Sequence, residues 1–160
     1  MIRPFKKSDT VEVANLIYYT FKKFNGDAFF TESAVEKTLD NFDSEKHSED
    51  ELFEIMGKSE LFYVHEIDGE IVGALRGYKN KLSSLFVSEN YHGKGIGQKL
   101  VKTFEDEVIK RGSEFVELNS SLFSVNFYLK QGYEKVSDIV DFEGLKVYKM
   151  KKYFSNPSDE

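Results

Sequence analysis

Apolar residues recur along the chain with two different periods, and the shorter period predicts a group of neighbouring strands. Leu61 to Ile67 and Glu70 to Tyr78 are rich in apolar residues and are separated by Asp68-Gly69. An Asp-Gly pair between two such runs is a strong signal for a β-hairpin. A third apolar run, Leu82 to Val87, follows after a short polar connection. These stretches predict three consecutive antiparallel strands.

The longer, helical period dominates the first part of the chain. A short strand at Met1 to Phe5 precedes apolar positions that recur at helical spacing from Val13 to Phe24. Ser8 or Asp9 is a suitable N-cap for this first helix, and Gly26 is a suitable end. The pattern therefore predicts a strand followed by an amphipathic helix.

Two further helices are predicted before the hairpin. Thr31 or Ser33 begins the second helix, and Ser33 with Glu36 has the spacing of a capping box. Asp40 to Asp50 is polar and acidic, which is typical of a loop or a helix end. Glu51 to Met56 then predicts one or two more helical turns.

The second half of the chain alternates between helices and strands. Ile96 to Arg111 carries its apolar residues on one helical face. Phe115 to Leu118 follows as a short strand, which should lie parallel to the strand before that helix because β-α-β crossovers join parallel strands. A last helix is expected from a cap at Ser120 or Ser121 to about Gln131.

Two strands, Tyr133 to Val140 and Leu145 to Lys152, close the chain around a turn at Glu143-Gly144. The polar tail from Ser155 to Glu160 is expected to be disordered. The succession of elements predicts an α/β fold with a mixed, mostly antiparallel sheet, in a single domain over residues 1–154.

Composition narrows the class of protein. A chain of 160 residues fits one domain, and it has neither a long apolar run nor a basic and apolar leader, so we expect a cytoplasmic protein. The absence of cysteine excludes disulfides, thiolate metal sites and thiol nucleophiles, and three scattered histidines predict no metal site. The net charge of −6 argues against nucleic-acid binding. It suits a cationic substrate or simple solubility.

A glycine-rich turn, Tyr91 to Gln98, lies between the third predicted strand and the helix after it. Gly93, Gly95 and Gly97 would let the backbone approach a ligand closely. Unpaired N–H groups at a helix start favour an anion. The turn therefore predicts a pyrophosphate site, and the alternative is a left-handed turn without a ligand.

Two common phosphate-binding patterns do not fit this turn. Counting from Gly93 and Gly95, a dinucleotide-binding pattern requires a third glycine where Gln98 stands. A Walker A loop requires Ser or Thr after its lysine, and Lys94 is followed by Gly95.

Tyr91 to Gly97 instead resembles the acyl-CoA loop of the GCN5-related N-acetyltransferase (GNAT) superfamily, whose usual pattern is Gln/Arg-x-x-Gly-x-Gly/Ala. Gly95 and Gly97 fit this pattern, whereas His92 replaces the Gln or Arg. Asn119 to Tyr133 resembles the second motif of the family, a helix carrying Phe-Tyr and then Gly-Tyr. The resemblance implies the GNAT fold, in which the strand before the loop splays away from the next, parallel strand and helices flank the sheet.

The resemblance also implies a site for acetyl-CoA as the acetyl donor. Backbone amides of the turn would hold the pyrophosphate, and these belong to His92, Gly93, Lys94, Gly95, Ile96, Gly97 and Gln98. The pantetheine arm would lie along the preceding strand, at Leu85, Phe86 and Val87, with the amide of Phe86 or Val87 stabilising the oxyanion. Asn119, Ser124 and Asn126 are further polar contacts to the coenzyme, although Asn126 fits a helix surface equally well.

Tyr128 is the residue to which the resemblance assigns catalysis, as the acid that protonates the leaving sulfur of CoA. A phenol stays protonated at neutral pH and is matched to a basic thiolate. The general base stays open, because Glu117, Glu66 and Glu70 could each simply face solvent. Recognition of the acceptor falls in the family to the first two helices and their connector, which here contain Tyr18, Tyr19, Phe24, Asn25, Asp27, Phe29 and Phe30.

The sequence is consistent with three functions. The first is an N-acetyltransferase that acetylates a primary amine of a small molecule by direct attack in a ternary complex. The second is a protein or peptide N-acetyltransferase, and the third is a non-catalytic acyl-CoA-binding module. A homodimer formed through the C-terminal hairpin is common in the family and is a further possibility.

Overall fold

The computed structural model describes residues 1–25 and 31–154, in which eight strands form one sheet with helices on both faces. The strands are β1 (Ile2–Pro4), β2 (Leu61–Ile67), β3 (Glu70–Tyr78), β4 (Lys81–Val87), β5 (Phe115–Ser121), β6 (Glu134–Lys135), β7 (Val140–Phe142) and β8 (Leu145–Tyr153). The helices are α1 (Thr10–Asn25), α2 (Glu32–Asp40), α3 (Glu49–Leu52), α4 (Ile96–Lys110) and α5 (Val125–Lys130). Short 3-10 turns occupy Lys7–Asp9 and Glu89–Tyr91, and a π-helical turn, Phe53–Gly57, extends α3.

The sheet is mixed and mostly antiparallel, which confirms the predicted fold class. Its order is β1-β2-β3-β4-β5-β8-β6, with β7 paired to β8 as well. β4 and β5 are the parallel neighbours, and their pairing covers two positions, Lys81 with Glu117 and Leu82 with Leu118. The helix between them, α4, completes the β-α-β crossover that the sequence predicts.

Beyond Leu82 the strands β4 and β5 separate. β4 remains paired to β3 as far as Val87 opposite Gly73, while β5 remains paired to β8 as far as Ser121 opposite Val147. Each strand is therefore held by its outer neighbour, and a gap opens between their carboxyl ends. This gap is the splay that the resemblance implies.

Apolar side chains pack on both faces of the sheet. On one face α4 buries Leu100 and Phe104 against Leu75 and Leu118, together with the aromatic side chain of Tyr133. The other face packs against α1 and α3, and its buried members include Val13, Ile17, Leu52, Phe62 and Val64. The two layers pack against the sheet from both sides, and members of both clusters border the gap between β4 and β5.

Both predicted hairpin turns are confirmed. Asp68 and Gly69 join β2 to β3 with φ angles of 51° and 80°. Glu143 and Gly144 join β7 to β8 with φ angles of 54° and 89°. Positive φ at both central residues matches the right-handed twist of the flanking strands.

The predicted start of the last helix is wrong. Ser120 and Ser121 belong to β5, because their backbones pair with Tyr148 and Val147 of β8. α5 begins at Val125 instead, after the N-cap Ser124. The backbone hydrogen bonds of a complete strand pair contribute more to stability than the helix cap that the local sequence favours.

Of the two starts predicted for α2, Thr31 is confirmed, whereas the other caps in the first half differ from the prediction. Thr31 caps α2 by accepting a hydrogen bond from the amide of Ala34, so the box predicted at Ser33 and Glu36 does not form the cap. A capping box is present at Ser48 and Glu51 instead, inside the stretch assigned to a loop.

The cap predicted at Ser8 or Asp9 is replaced by a 3-10 turn, Lys7–Asp9, after which α1 begins at Thr10. The carboxylate of Asp9 accepts hydrogen bonds from Arg3 and from the amide of Lys6. Its charge is thus satisfied by a residue of β1, which a local capping rule does not consider.

The strand predicted from Tyr133 to Val140 is divided into β6 and β7. Between them Ser137 interrupts the ladder, because its hydroxyl oxygen accepts the N–H of Lys149 at 3.0 Å in place of a backbone carbonyl. A serine side chain that bonds locally to the backbone is a common way to end strand pairing. The predicted tail, residues 155–160, lies outside the described residues.

Candidate functional site

A cavity of about 590 Å³ lies at the gap between β4 and β5. Its walls include α1, the end of α2, the turn before α4, and the start of α5. Twelve of the fourteen residues that the sequence points to line it: Leu85, Phe86, Val87, His92, Gly93, Gly95, Ile96, Gly97, Gln98, Asn119, Ser124 and Tyr128. The other two, Lys94 and Asn126, are exposed and outside its lining.

The turn before α4 presents an open backbone surface. Gly93 and Gly95 have φ angles of 75° and 79°, the left-handed region that disfavours other residues. A Cβ built on either glycine would meet no atom within 4 Å. The space next to this turn is therefore free for a ligand, and the backbone can contact it directly.

Amide groups at the start of α4 point out of the helix without helical partners. The amide of Lys99 donates to the carbonyl of Gly95 at 3.1 Å, so the amides of Ile96, Gly97 and Gln98 precede that helical bond. The first turn of α4 contains no acidic residue. Together with the helix dipole, these amides form a site of positive potential suited to phosphate oxygens.

Gly97 has a different role from the two glycines before it. A Cβ there would come within 3.2 Å of the Phe127 ring and 3.6 Å of Val87. α4 therefore lies close to α5 and to the end of β4, and the absence of a side chain permits that approach. Gly97 keeps the three elements of the cavity together.

The edge of β4 that faces β5 is unpaired by β5 beyond Leu82. The amide of Ser88 donates to the carbonyl of Val72 on β3 at 2.8 Å, and backbone groups along a strand alternate in direction. The backbone of Phe86 is therefore directed to β3. The N–H and C=O groups of Leu85 and Val87 are directed to the gap.

His92 occupies part of this edge. Its Nε2 lies 2.7 Å from the carbonyl oxygen of Val87, and since a carbonyl only accepts, Nε2 donates and carries a proton. The ring also contacts Phe24 at 5.0 Å and Phe123 at 6.5 Å between centroids. Phe24 and Phe123 stack at 4.7 Å, so α1, the turn and the β5–α5 connection meet over the cavity.

Tyr128 is buried, with 5% of its surface exposed, and it contributes to the cavity wall. Its ring packs edge-on against Phe127 and Tyr133. Burial raises the pKa of its phenol well above the usual value. Among the described residues no hydrogen-bond partner faces this hydroxyl, whereas the hydroxyl of Tyr133 donates to Glu105 at 2.9 Å.

None of the three candidate bases lies in this cavity. Glu117 lines a separate cavity beside Lys151, whose Nζ is 4.0 Å from its carboxylate. Glu66 pairs with Arg3 at 3.4 Å, and Glu70 is exposed at the β2–β3 turn. Among the described residues, the lining of the larger cavity contains no aspartate or glutamate.

The segment expected to recognise the acceptor is partly inside the cavity. Phe24 lines it, while Tyr18 and Tyr19 do not. Asp27, Phe29 and Phe30 lie outside the described residues, as does the side chain of Asn25. α1 contributes Ile17, Thr20 and Phe21 to the lining instead, and the α2 region contributes Thr38 and Phe42.

Arg76 is a lining residue that sequence reasoning missed. It lies on β3, where its Nε donates to the hydroxyl of Ser84 at 2.9 Å and its guanidinium lies 5.5 Å from the centre of the Phe42 ring. Burial lowers the pKa of its guanidinium to about 10, so it remains charged at neutral pH. The available signal was an arginine directly after the apolar run Ile71-Val72-Gly73-Ala74-Leu75, within a predicted strand.

No group of three or more His, Asp or Glu side chains is arranged to hold a metal ion in the described ranges 1–25 and 31–154. No helix in these ranges is long and apolar enough to cross a membrane.

Comparison with known proteins adds independent information. The sequence profile of the acetyltransferase (GNAT) domain matches residues 29–154. No curated protein sequence matches the chain.

Solved structures share the fold at low sequence identity. A GCN5-related N-acetyltransferase from Rhodopseudomonas palustris has a TM-score of 0.77 and 20% identity, covering 96% of this chain and 95% of that one. PaiA N-acetyltransferase from Thermoplasma acidophilum, in complex with coenzyme A, has a TM-score of 0.70 and 22% identity, and the match covers 96% of this chain and 98% of that one. An aminoglycoside 6'-acetyltransferase type Ii has a TM-score of 0.70 and 22% identity, and the match covers 98% of this chain and 99% of that one.

Proposed function

Since the chain belongs to the GNAT acetyltransferase family, we propose that it transfers the acetyl group of acetyl-CoA to the primary amine of a small molecule, by direct attack in a ternary complex. One observation carries the proposal: the open glycine turn and the unpaired edge of β4 meet in a single cavity beside a buried tyrosine. The turn suits the phosphates of an acyl-CoA, and the strand edge suits its amide-containing arm.

The residues present fit acetyl-CoA, which would supply the thioester and thus the acetyl group. The amides from Gly93 to Gln98 would hold the pyrophosphate, since the space beside Gly93 and Gly95 is free. The backbone of Leu85 would pair with the pantetheine arm as an added strand does, while the carbonyl of Val87 accepts the bond from His92. Asn119 and Ser124, half-buried in the lining, would contact the same arm.

The open edge of β4 also supplies an oxyanion donor. Of the two amides considered from the sequence, that of Val87 is directed to the gap and that of Phe86 to β3. A fixed N–H aimed at the thioester oxygen would stabilise the negative charge that develops there. This role is assigned to Val87.

Tyr128 would protonate the departing sulfur. Its hydroxyl is buried in the cavity wall, and its raised pKa keeps it protonated throughout the neutral range. A phenol without a protein partner is free to donate to a ligand. Tyr128 lines the same cavity as Leu85 and Val87 of β4, which supports this role.

The acceptor must attack as a neutral amine. Among the described residues the lining provides no carboxylate base, so the proton would leave through water. The loss of the amine proton therefore requires no carboxylate side chain.

A small molecule is favoured over a peptide by the residues around the acceptor end. Thr38 and Phe42 from the α2 region and Phe21 from α1 line the cavity on the side of the sheet opposite α4. Phe24, His92 and Phe123 are in contact across it. A peptide would need an open groove between these elements.

The proposal is tested by calorimetry and by a thiol-release assay with DTNB over a panel of amines. We expect coenzyme A and acetyl-CoA to bind, and at least one small amine to release free thiol. Binding of both ligands without turnover of any small amine or peptide would favour a non-catalytic acyl-CoA-binding module. No binding of either ligand would refute the assigned site.

A further inference from the structure

Arg76 lies on the face of the sheet that packs against α1. Its neighbour two residues before, Ala74, belongs to the same cluster as Val13 and Ile17, and side chains two apart on a strand share a face. A bulge follows at this point, because Arg76 pairs with Ser84 while Gly77 pairs with Leu82. Such a bulge changes the direction of side chains locally, and both Arg76 and Ser84 line the cavity.

No carboxylate among the described residues pairs with Arg76. Its interactions are the hydrogen bond to Ser84 and the contact with the Phe42 ring. The other two arginines of the chain each contact two carboxylates: Arg3 contacts Asp9 and Glu66, and Arg111 contacts Glu60 and Glu107. Arg76 is thus a half-buried cation whose Nη groups remain available, and removing an unpaired charge from water is unfavourable.

Position separates Arg76 from the phosphate site. Ser84, its partner, lies three residues before Val87 on β4, which is about 10 Å along an extended strand. The glycine turn lies beyond Val87, on the far side from Ser84. An anion that binds at Arg76 is therefore a different group from the pyrophosphate held by the turn.

We propose that the acceptor amine carries a carboxylate that binds the guanidinium of Arg76, so that the acceptor is an amino acid with an apolar side chain. This inference depends on the proposed function. A planar carboxylate matches the fork of Nη donors that the bond to Ser84 leaves free. Ile17, Phe21 and Phe42 in the same lining supply apolar surface for the side chain of the acceptor.

The net charge, which fits either a cationic substrate or simple solubility, does not describe the lining of the cavity. A chain with a charge of −6 suits a cationic acceptor, but the described lining holds a cation and no carboxylate. During transfer the neutral acceptor nitrogen forms the new bond to the acetyl carbon and releases one proton to water, and a proton from water afterwards restores the phenol of Tyr128. The carbon–sulfur bond breaks, and the sulfur receives a proton from Tyr128. The carboxylate is unchanged and serves only to position the amine.

The test compares matched acceptors. Each amino acid with an apolar side chain is assayed beside its amide and its decarboxylated amine, with thiol release as the readout. We expect kcat/KM to be about 10- to 100-fold higher for the amino acid, the range for a hydrogen bond to a charged partner. Arg76→Met keeps an apolar stem against Phe42 but removes the charge, and it should reduce this ratio to about one.

Arg76→Lys should restore part of the preference, because it returns the charge without the fork. Acetyl-CoA affinity, measured by calorimetry, should be the same in both variants and the wild type. A second readout does not depend on turnover: the N-acetylated amino acid should bind the coenzyme A complex more tightly than the N-acetylated amine, and Arg76→Met should remove the difference.

The possible failures are distinguishable. If acetyl-CoA binds and amines are acetylated, but the carboxylate-free member of each pair is used equally well, the inference is overturned and the proposed function stands. An equal loss for all acceptors in Arg76→Met would assign the residue a structural role. If acetyl-CoA does not bind the wild type, the proposed function fails first.

Discussion

At the scale of single residues, the site depends on positions where a side chain would be harmful. Gly93 and Gly95 adopt positive φ next to open space, and Gly97 permits α4 to approach Phe127. Only two side chains carry the chemistry proposed for the site. Tyr128 supplies a protonated hydroxyl, and Arg76 supplies a charge.

Replacing Gly95 by valine should weaken binding of coenzyme A at least about tenfold, because a branched side chain would enter the space beside the amides. Gly69→Val is the matched control. Gly69 also has positive φ and nothing within 4 Å of a built Cβ, but it lies in the β2–β3 turn. Calorimetry should show the loss in Gly95→Val alone, and unchanged affinity there would contradict the phosphate site.

Tyr128→Phe should lower kcat by about 10²- to 10⁴-fold with little change in acetyl-CoA affinity, since it removes one acid and leaves the ring packing. Tyr133→Phe is the control, because Tyr133 neighbours Tyr128 yet is not in the lining. That variant loses a buried bond to Glu105, so it should lose about 1–3 kcal/mol of unfolding free energy and keep its kcat. Equal kcat in wild type and Tyr128→Phe would remove the acid role.

At the scale of elements, ion pairs fix how the first strand meets the first helix. Arg3 on β1 forms two hydrogen bonds with the buried carboxylate of Asp9, at 2.7 and 2.9 Å. The hydrogen bond to Arg3 is the main cause of a pKa of Asp9 below its usual range. The pair places the start of α1, and α1 forms one wall of the cavity.

Asp9→Asn should therefore lower the free energy of unfolding at neutral pH by about 1–3 kcal/mol. A carboxyl whose folded pKa is depressed stabilises the fold above its ordinary pKa and loses that effect as pH falls through the folded value. The difference between wild type and Asp9→Asn should thus narrow as pH falls below about 4.

Urea unfolding at several pH values measures this difference, and Asp50→Asn serves as the control. Asp50 pairs with Lys7 at 2.6 Å, but both side chains are exposed, and exposed pairs contribute little. If Asp50→Asn lowered the free energy of unfolding as much as Asp9→Asn does, burial of the carboxylate would not explain the stabilising effect of Asp9.

At the scale of the whole molecule, the cavity joins the two layers of the fold. Its lining includes α4 and α5 from one face of the sheet and α1 with the α2 region from the other. A ligand that bridges β4, α4 and α5 would therefore stabilise the native state as a whole.

Acetyl-CoA at 100 times its Kd should add about 2.7 kcal/mol to the stability. For a chain of 160 residues, this corresponds to a rise in Tm of about 5–10 °C. A thermal melt with and without acetyl-CoA measures it. Gly69→Val should retain the shift and Gly95→Val should lose at least about half of it, whereas an unchanged Tm in the wild type would contradict the proposed site.

Short-range pattern and the two motifs were enough to predict the α/β class, the hairpins at Asp68-Gly69 and Glu143-Gly144, and the family. These features depend on residues adjacent in the chain: period-two apolar runs, glycines at turns, and a strand–turn–helix segment. The family match over residues 29–154 confirms that assignment. The roles of the individual site residues remain predictions.

Tertiary structure decided what depends on distant partners. Pairing of Ser120 and Ser121 with β8 overrode a plausible helix cap, and Asp9 bonded to β1 instead of capping α1. The direction of the Val87 amide follows from the register of β4 against β3. The role proposed for Arg76 follows only from the fold, which places it beside Phe42 and Ser84 and without a described carboxylate partner. Burial and ion pairing depend on neighbours in three dimensions, which the sequence does not give.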